Sequence, residues 1–417
     1  VNCKMGDKME KMDSPASPYR LSWTAFINLG MLGVGLALEM LSPTSLYFSE
    51  QMEVSITEIG AMFIRRAAGH IAGALVCGKI LDLTGKPALV LLLALAGTCA
   101  VCFALPLLKS YRLAGFLFMF QGFSVGMVDT AGNVLILALW RESKYLNCHM
   151  YAMHFLRGLG TFVAPLFVEA WVARGLAPMS AWMATGAVVM PSMFAFFGLN
   201  FTSQPKIADK SDKQHLCVRK CTKELLWASV FLFAYMANEV SFGNSIASFA
   251  SAWLEASEAN SRSLASLYWA SLCLGRLVAA FVAPYVSQVT YVVAHLVAAL
   301  LAVTVMFGLT RDPESLEQDT GWWLKVVLLT ATFGFAMGPL FPGMVLMIEK
   351  IQQAPLIGTT TSIMVTLALL GKLQAVALTA SIGEHLSEYF GLLQIFLCVC
   401  TLGAFAAMVG GSRTDTH

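Results

Sequence analysis

Long apolar stretches separated by short polar segments run along almost the whole chain. Twelve of them approach the roughly 20 residues that an α-helix needs to cross the hydrocarbon of a bilayer. Their approximate windows are 22–42, 56–80, 88–107, 113–140, 150–172, 180–200, 223–252, 264–285, 289–310, 322–349, 357–380 and 390–410. The pattern predicts an all-α polytopic membrane protein with 12 transmembrane helices.

The longest polar break, residues 201–222, is rich in lysine and divides the windows into six and six. It predicts an N-terminal six-helix bundle over 22–200 and a C-terminal six-helix bundle over 223–410. Residues 1–21 and 411–417 would then be polar tails. Two repeated halves are a common plan among secondary transporters.

Composition agrees with lipid as the solvent. Hydrophobic residues make up 57% of the chain and charged residues 12%, against roughly 25% charged in a typical soluble domain. The net charge of +2 does not indicate a nucleic-acid partner. The sequence has no phosphate-binding glycine loop, metal-spaced histidine cluster or nucleophile elbow. We therefore expect no enzyme activity, cofactor or metal site, and a monomer surrounded by lipid.

Lysine and arginine indicate the orientation, because cytoplasmic loops carry an excess of both. They concentrate in residues 1–20, in the turn at Lys79 and Lys86, and in the segment 201–222. Loops on the opposite side carry few. We expect both termini and the 201–222 linker to be cytoplasmic, and the plasma membrane to be the membrane of residence.

One loop motif resembles that of the major facilitator superfamily. Between the second and third windows the chain reads GKILDLTGKP, in which Gly78, Asp82, Gly85 and Lys86 fit the superfamily signature and Leu83 departs from it. Glycines permit a tight turn and close helix approach, and the aspartate can cap a neighbouring helix. In the second half, Gly275 and Arg276 are all that resembles this loop. The resemblance implies the major facilitator fold.

Charged side chains inside the windows need partners or water, since a charge at the bilayer centre costs about 2.5–3.5 kcal/mol on insertion scales. Those that the sequence singles out are Glu39, Arg65, Arg66, Asp129, Arg157, Glu239, Arg276 and Lys372. Ion pairs between helices are the expected role of Arg65 and Arg66, and packed, hydrogen-bonded rings that of His70 and His154. We expect Asp129 to be an unpaired, functional carboxylate. Pro43, four residues after Glu39, predicts a break in the first helix, and Gly338–Pro339 predicts another in the tenth.

Several segments resemble the fucose-permease-like branch of the superfamily. They include LALEMLSPT in the first window, VGMVDTAGNVLILALW in the fourth and FAYMANEVSFGNSIASFA in the seventh. The resemblance to bacterial fucose:proton symporters implies that Glu39 and Asp129 serve the coupling ion. HMYAMHFLRGLGTFVAPL in the fifth window is similar instead to the animal sodium-dependent glucose transporter-like proteins. In those relatives we expect a small residue where this chain has Glu39, so the ion is left open between sodium and a proton.

The resemblance implies that the first, fourth, seventh and tenth helices line a cavity in which a hexose such as glucose or fucose binds. Amides, hydroxyls and an indole suit a sugar, because hydroxyls take paired hydrogen bonds and the ring stacks on an aromatic face. The candidate sugar ligands are Asn28, Gln121, Asn133, Asn238, Asn244 and Trp269. The function that we expect is sugar transport by alternating access, with or without a coupled cation.

Two other functions stay open. One is transport of another solute, such as an organic anion or a nucleoside; an unpaired Arg157 or Lys372 would favour an anion, and an acid partner for each would favour a neutral sugar. The other is a transporter-like sensor that moves nothing, which a long signalling tail would favour.

Overall fold

The computed structural model describes residues 18–141, 143–202, 223–311, 321–352, 358–382 and 386–414. These residues form helices and short turns, and none of them lies in a β-strand. The predicted linker and tails fall largely outside the described residues. Eleven helical stretches of the described chain are long and apolar enough to cross a membrane, in agreement with 11 of the 12 predicted windows. The remaining window, 180–200, forms a helix of 23 residues.

The chain divides into two compact units, and the first contains residues 1–217 together with residues 356–363. The helices of this unit are α1 (Pro18–Glu39), α2 (Leu41–Met52), α3 (Ile56–Thr84), α4 (Pro87–Ala104), α5 (Tyr111–Trp140), α6 (Leu146–Val172) and α7 (Ser180–Thr202). Within the unit, α3 packs against α5, α1 packs against α6 and α7, and α4 packs against α5 and α7.

The second unit contains residues 218–355 and 364–417. Its helices are α8 (Lys223–Ala252), α9 (Glu258–Val282), α10 (Gln288–Thr310), α11 (Trp322–Met337), α12 (Leu340–Gln352) and α14 (Leu386–Thr414). Within this unit, α8 packs against α9 and α14, α11 packs against α9 and α10, and α10 also contacts α14. Helix α13 (Gly358–Ile382) begins in the first unit and continues in the second.

Both predicted helix breaks are confirmed. The first transmembrane stretch ends as α1 at Glu39 and resumes as α2 at Leu41. Pro43 has no N–H to donate to the carbonyl of Glu39, so the hydrogen-bond ladder is interrupted there and proline is tolerated in the first turn of α2. The tenth stretch is likewise divided into α11 and α12 at Gly338–Pro339.

Aromatic side chains fill the core of each unit. In the first unit Phe48, Phe118 and Trp182 meet edge to face, with ring centroids 5.6–5.8 Å apart. The indole N–H of Trp182 also donates to the hydroxyl of Thr44 at 3.1 Å. In the second unit the ring of Phe242 lies against those of Tyr268, Phe333 and Phe390. Each unit therefore has an apolar core of its own.

Candidate functional site

A glycine-lined crossing of α3 and α5 sets the geometry of the first unit's charged site. A Cβ added at Gly69 or Gly73 would collide with backbone carbonyls of α5, and one added at Gly122 or Gly126 would collide with backbone carbonyls of α3. Small residues spaced four apart let two membrane helices approach at backbone distance. One turn beyond Gly126, this approach brings His70 of α3 against Asp129 of α5.

Asp129 is paired, so the expectation of an unpaired carboxylate is wrong. Its Oδ1 lies 2.6 Å from a guanidinium nitrogen of Arg157 on α6, and its Oδ2 lies 2.8 Å from Nε2 of His70. His70 is buried, and 13% of the Asp129 side chain and 17% of the Arg157 side chain are exposed. Sequence reasoning could not find these partners, because they come from two other helices far apart in the chain.

Close backbone packing also positions Arg157. A Cβ added at Gly35 of α1 would meet the carbonyl of Arg157, and one added at Gly160 of α6 would meet the carbonyl of Leu32. Glycine on both helices lets α1 and α6 cross closely, and the arginine next to this crossing extends toward α5. The ion pair between Asp129 and Arg157 therefore joins α5, which crosses α3 closely, to α6, which crosses α1 closely.

Asn133 extends this network rather than presenting its amide to a substrate. Its Nδ2 donates to the carbonyl oxygen of Asp129 at 2.7 Å, and its Oδ1 lies 3.1 Å from Nε2 of His154. Only 1% of the residue is exposed. The prediction that His70 and His154 are hydrogen-bonded is confirmed. The small and polar face of α5 packs inside the unit, which the helical spacing alone could not distinguish from a cavity-lining face.

The other candidates of the first unit lie along α1 and α5. Gln121 is buried and donates from Nε2 to the carbonyl of Ala37 at 3.2 Å, whereas its Oε1 has no hydrogen-bond partner among the described residues. The Oδ1 of Asn28 is equally buried without such a partner in the described part of the chain. Both oxygens remain able to accept a hydrogen bond from a ligand or water.

Glu39 ends α1 and is half-buried. It lies close enough to Arg66 of α3 to interact with it electrostatically. Arg66 also donates to the carbonyl of Leu38, a peptide oxygen next to the break that Pro43 causes. Arg66 therefore ties two helices together, but it does so through a backbone carbonyl and not through the ion pair that was expected. The ring of Tyr111 lies against Arg65, whose guanidinium carbon is 4.9 Å from the ring centroid.

In the second unit the structure separates the three predicted sugar ligands. Asn238 is buried and donates from Nδ2 to the sulfur of Cys398 at 3.0 Å. Asn244, six residues further along α8, is exposed. Trp269 of α9 is half-buried and lies against Gly243, where a Cβ would collide with the indole. Asn244 and Trp269 are thus adjacent to one crossing of α8 and α9 and have surface to offer a ligand.

The second unit has its own buried acid–arginine cluster. Arg276 places one nitrogen 3.3 Å from Oε2 of Glu239 and donates from Nε to the carbonyl of Gly338 at 3.1 Å. The hydroxyl of Tyr235 donates to the same carboxylate, and the hydroxyl of Tyr268 donates to the backbone carbonyl of Glu239 at 2.9 Å. Sequence reasoning missed both tyrosines, although the spacing of Tyr235 and Glu239, four apart on one helix, could have indicated the first.

This cluster corrects the interpretation of Gly275 and Arg276 as the remnant of a loop motif. Both residues lie inside α9, in a transmembrane stretch rather than in a loop. Gly275 packs against the carbonyl of Phe335 on α11, and Arg276 is held by Glu239. A buried arginine needs an acid partner, which explains its position better than a turn does.

The loop motif of the first half behaves as predicted. Gly85 ends α3 with a φ of 64°, a left-handed conformation that glycine adopts without strain. Asp82 accepts hydrogen bonds from the backbone N–H of Thr359, at 3.0 Å, and from its hydroxyl. It therefore caps the first turn of α13, a turn that belongs to the first unit.

The other residues of the motif lie on either side of this cap. A Cβ at Gly78 would collide with Ser362 of the same turn of α13. Lys86 precedes the proline that starts α4.

Lys372 on α13 differs from Arg157 and Arg276. It is half-buried, and no acidic side chain pairs with it in the part of the chain that the structure describes. By contrast, Arg157 and Arg276 are both neutralised.

Comparisons with known proteins agree with this architecture. The sequence profile of the Major Facilitator Superfamily matches residues 27–375. The chain is 26% identical over 419 residues to Sodium-dependent glucose transporter 1 of Danio rerio, covering 91% of this chain and 68% of that protein.

Two solved structures show the same fold. FucP, a Major Facilitator Superfamily transporter solved in the outward conformation, gives a TM-score of 0.67 at 11% identity, over 93% of this chain and 98% of that chain. The proton:xylose symporter XylE, bound to 6-bromo-6-deoxy-D-glucose, gives 0.70 at 13% identity, over 95% and 96%.

Proposed function

Because this chain belongs to the Major Facilitator Superfamily, we propose that it carries a hexose such as glucose or fucose across the plasma membrane by alternating access, in symport with sodium or protons. That it is a multi-pass membrane transporter follows from the family and from its apolar helices. The solute, the mechanism and the coupling are the proposed part. In this proposal both termini are cytoplasmic and the protein works as a monomer.

The observation that carries the sugar proposal is the internal neutralisation of the buried charges. Asp129 pairs with Arg157, and Glu239 pairs with Arg276, so neither arginine is available as a counter-ion for an anionic solute. Several predicted sugar ligands keep groups that can bind a solute. In the first unit these are the side-chain oxygens of Asn28 and Gln121, which have no hydrogen-bond partner among the described residues. In the second unit they are the equally unpartnered Oδ1 of Asn238 and the accessible surfaces of Asn244 and Trp269. Amide groups and an indole recognise a neutral polyol by hydrogen bonds and ring stacking. Relatives named as glucose and xylose transporters support the same solute class.

Uptake of radiolabelled glucose and fucose by cells expressing the chain tests this proposal. Saturable uptake is expected from the wild type, and Asn244→Ala and Trp269→Ala should lower it about tenfold or more, since a lost hydrogen bond or stacking contact costs on the order of 1.4 kcal/mol. Two matched controls are Asn260→Ala and Trp227→Leu, because both residues are exposed on the same helices. Absence of saturable sugar uptake from protein shown to be at the surface would refute the proposal.

A second candidate is an organic anion, which Lys372 favours. Its ammonium group has no acid partner in the described chain, so an anionic solute could neutralise it. Under this alternative, the wild type takes up an anion such as radiolabelled lactate, and Lys372→Gln abolishes that uptake. Neither the wild type nor the variant then takes up hexose. Under the sugar proposal, Lys372→Gln leaves hexose uptake within about twofold, as for a side chain outside the site.

A further inference from the structure

We infer that His70 is the group that takes up and releases the coupling cation, and that this cation is a proton and not sodium. The inference rests on the proposed function, since it identifies the ion that drives the proposed sugar transport. It starts from the partners of Asp129, because one carboxylate oxygen of this residue faces Arg157 and the other faces His70.

The surroundings of Asp129 are unsuitable for sodium. A hard cation binds through a cage of oxygen ligands, but the nearest side-chain groups of this carboxylate carry nitrogen. One of them is a permanent cation 2.6 Å from Oδ1, and a sodium ion bound at the same carboxylate would be repelled by it. Asn133 adds no oxygen ligand, because its Oδ1 is engaged by His154.

A proton needs no such cage. An ionised carboxylate only accepts hydrogen bonds, so Nε2 of His70 carries the hydrogen that points at Oδ2 of Asp129. When hydronium delivers a proton, one of its O–H bonds breaks, a new N–H bond forms at Nδ1 of the same ring, and water is left. Histidine is also the side chain that changes charge near physiological pH. The neutral hydrogen bond to Asp129 then becomes a second ion pair.

Protonation changes the charge balance of the cluster. With a neutral His70, the −1 of Asp129 and the +1 of Arg157 cancel; with a protonated His70, one carboxylate faces two cations and the cluster carries +1. A buried net charge is unfavourable, so protonation favours a conformation in which water reaches the cluster. The charged and titratable groups on the helix of His70 and on the helices packed against it include Arg65, Arg66, Glu39, Asp129, Arg157 and His154.

Purified protein in proteoliposomes tests the inference, with the membrane potential clamped. Exchange of radiolabelled glucose or fucose between equal concentrations on the two sides measures carrier function without any ion gradient. Net accumulation is then measured under an imposed pH gradient, from about pH 5.5 outside to about 7.5 inside, a range that spans histidine titration. A sodium gradient at equal pH is the parallel condition. Wild-type protein should exchange sugar, accumulate it with the pH gradient and fail to accumulate it with the sodium gradient.

The informative variant is His70→Gln, whose amide keeps a donor for Asp129 but cannot take up a proton. Measured relative to the variant's own rate of sugar exchange, the pH-driven accumulation should fall at least about tenfold. His295→Gln in the second unit is the matched control, because its ring lies on a different helix and its Nδ1 is 2.9 Å from the carbonyl of Tyr291. It should keep both activities.

A second readout separates a proton carrier from a merely structural histidine. Addition of sugar to the solubilised protein in weak buffer with a pH dye should change the bound proton count in the wild type and not in His70→Gln. Accumulation driven by sodium, or pH-driven accumulation that survives in His70→Gln, would overturn the inference while leaving sugar transport standing. Absence of exchange with every hexose would refute the proposed function, and the inference with it.

Discussion

The two units solve the same problem, a buried carboxylate beside an arginine, in different ways. In the first unit Asp129 pairs with Arg157 and also with His70, a side chain that can change its charge. In the second unit Glu239 pairs with Arg276, and its further partner is the hydroxyl of Tyr235, which stays neutral at physiological pH. The difference indicates a division of roles, with a switchable pair in the first unit and a fixed pair in the second.

The fixed pair also has a structural task that the switchable pair lacks. Arg276 donates to the carbonyl of Gly338, at the place where α11 ends and Pro339 prevents a continuous helix. Its side chain therefore satisfies both a buried acid and a backbone oxygen freed by the break. Removal of this arginine should damage the second unit more than removal of any single group damages the first.

The largest expected effect comes from Arg276→Leu. The change leaves Glu239 buried without its counter-charge, which costs on the order of 3–5 kcal/mol of folding free energy. Thermal unfolding in detergent should show a markedly lower midpoint and a lower folded yield. The double variant Glu239→Gln/Arg276→Leu should recover most of the loss; a double variant as unstable as the single one would mean that the Gly338 contact, not the ion pair, dominates.

The next effect is expected from Tyr235→Phe, which removes a hydroxyl donor from the buried carboxylate of Glu239. Hydrogen bonds to charged groups are worth about 1.5–3 kcal/mol, and the loss should appear in the same unfolding assay. His70→Gln is the counterpart in the first unit and should change stability by less than about 1 kcal/mol, since the amide still donates. Equal losses in the two variants would contradict the contrast between a fixed and a switchable pair.

Gly126→Ala is expected to lower the folding stability by about as much as Tyr235→Phe, or slightly less. This variant tests how the pair of His70 and Asp129 is positioned. The new methyl group would collide with the carbonyl of His70, and overpacking costs about 1–3 kcal/mol. Because α3 must move away from α5, the His70–Asp129 contact should lengthen and pH-driven accumulation should fall with stability. Gly308→Ala is the control, since nothing lies within 4 Å of a Cβ at that position. Normal pH-driven accumulation in Gly126→Ala would show that the close crossing of α3 and α5 is not needed to position His70 against Asp129.

The smallest loss of stability is expected at an exposed ion pair, and it is the reference with which the losses at the buried pairs are compared. Arg262 and Glu258 form an ion pair of 3.1 Å at the start of α9, with 73% and 86% of their side chains exposed. Water screens such pairs, so Arg262→Ala should change stability by no more than about 0.5 kcal/mol. A loss comparable to that of Arg276→Leu would show that burial does not explain the difference.

The sequence predicted the transmembrane stretches, both helix breaks and the capping role of Asp82 because each depends on local signals. Apolar length, proline and a glycine-bounded turn act over a few residues. The partners of Asp129 and Glu239 could not be predicted in this way, since they come from helices that only the fold brings together. The face of α5 was misread for a related reason: small and polar residues four apart line a cavity or a tight helix crossing with the same spacing. Gly275 and Arg276 were compared with the loop motif although their window already placed them in the membrane, because a likeness of two residues says nothing about depth in the membrane.

The glycine-lined crossing has a consequence for how the protein is made. Helix α5 buries a larger share of its apolar stretch than the other candidate spans of the described chain, and it brings Asp129 into the bilayer. It is synthesised after α3, which already exposes Gly69, Gly73 and His70 as a docking face. Arg157 follows on α6 and emerges later still. During insertion, His70 is thus the earlier of the two partners to meet the carboxylate, and α5 is expected to settle in the membrane by docking on α3 before the ion pair with Arg157 exists.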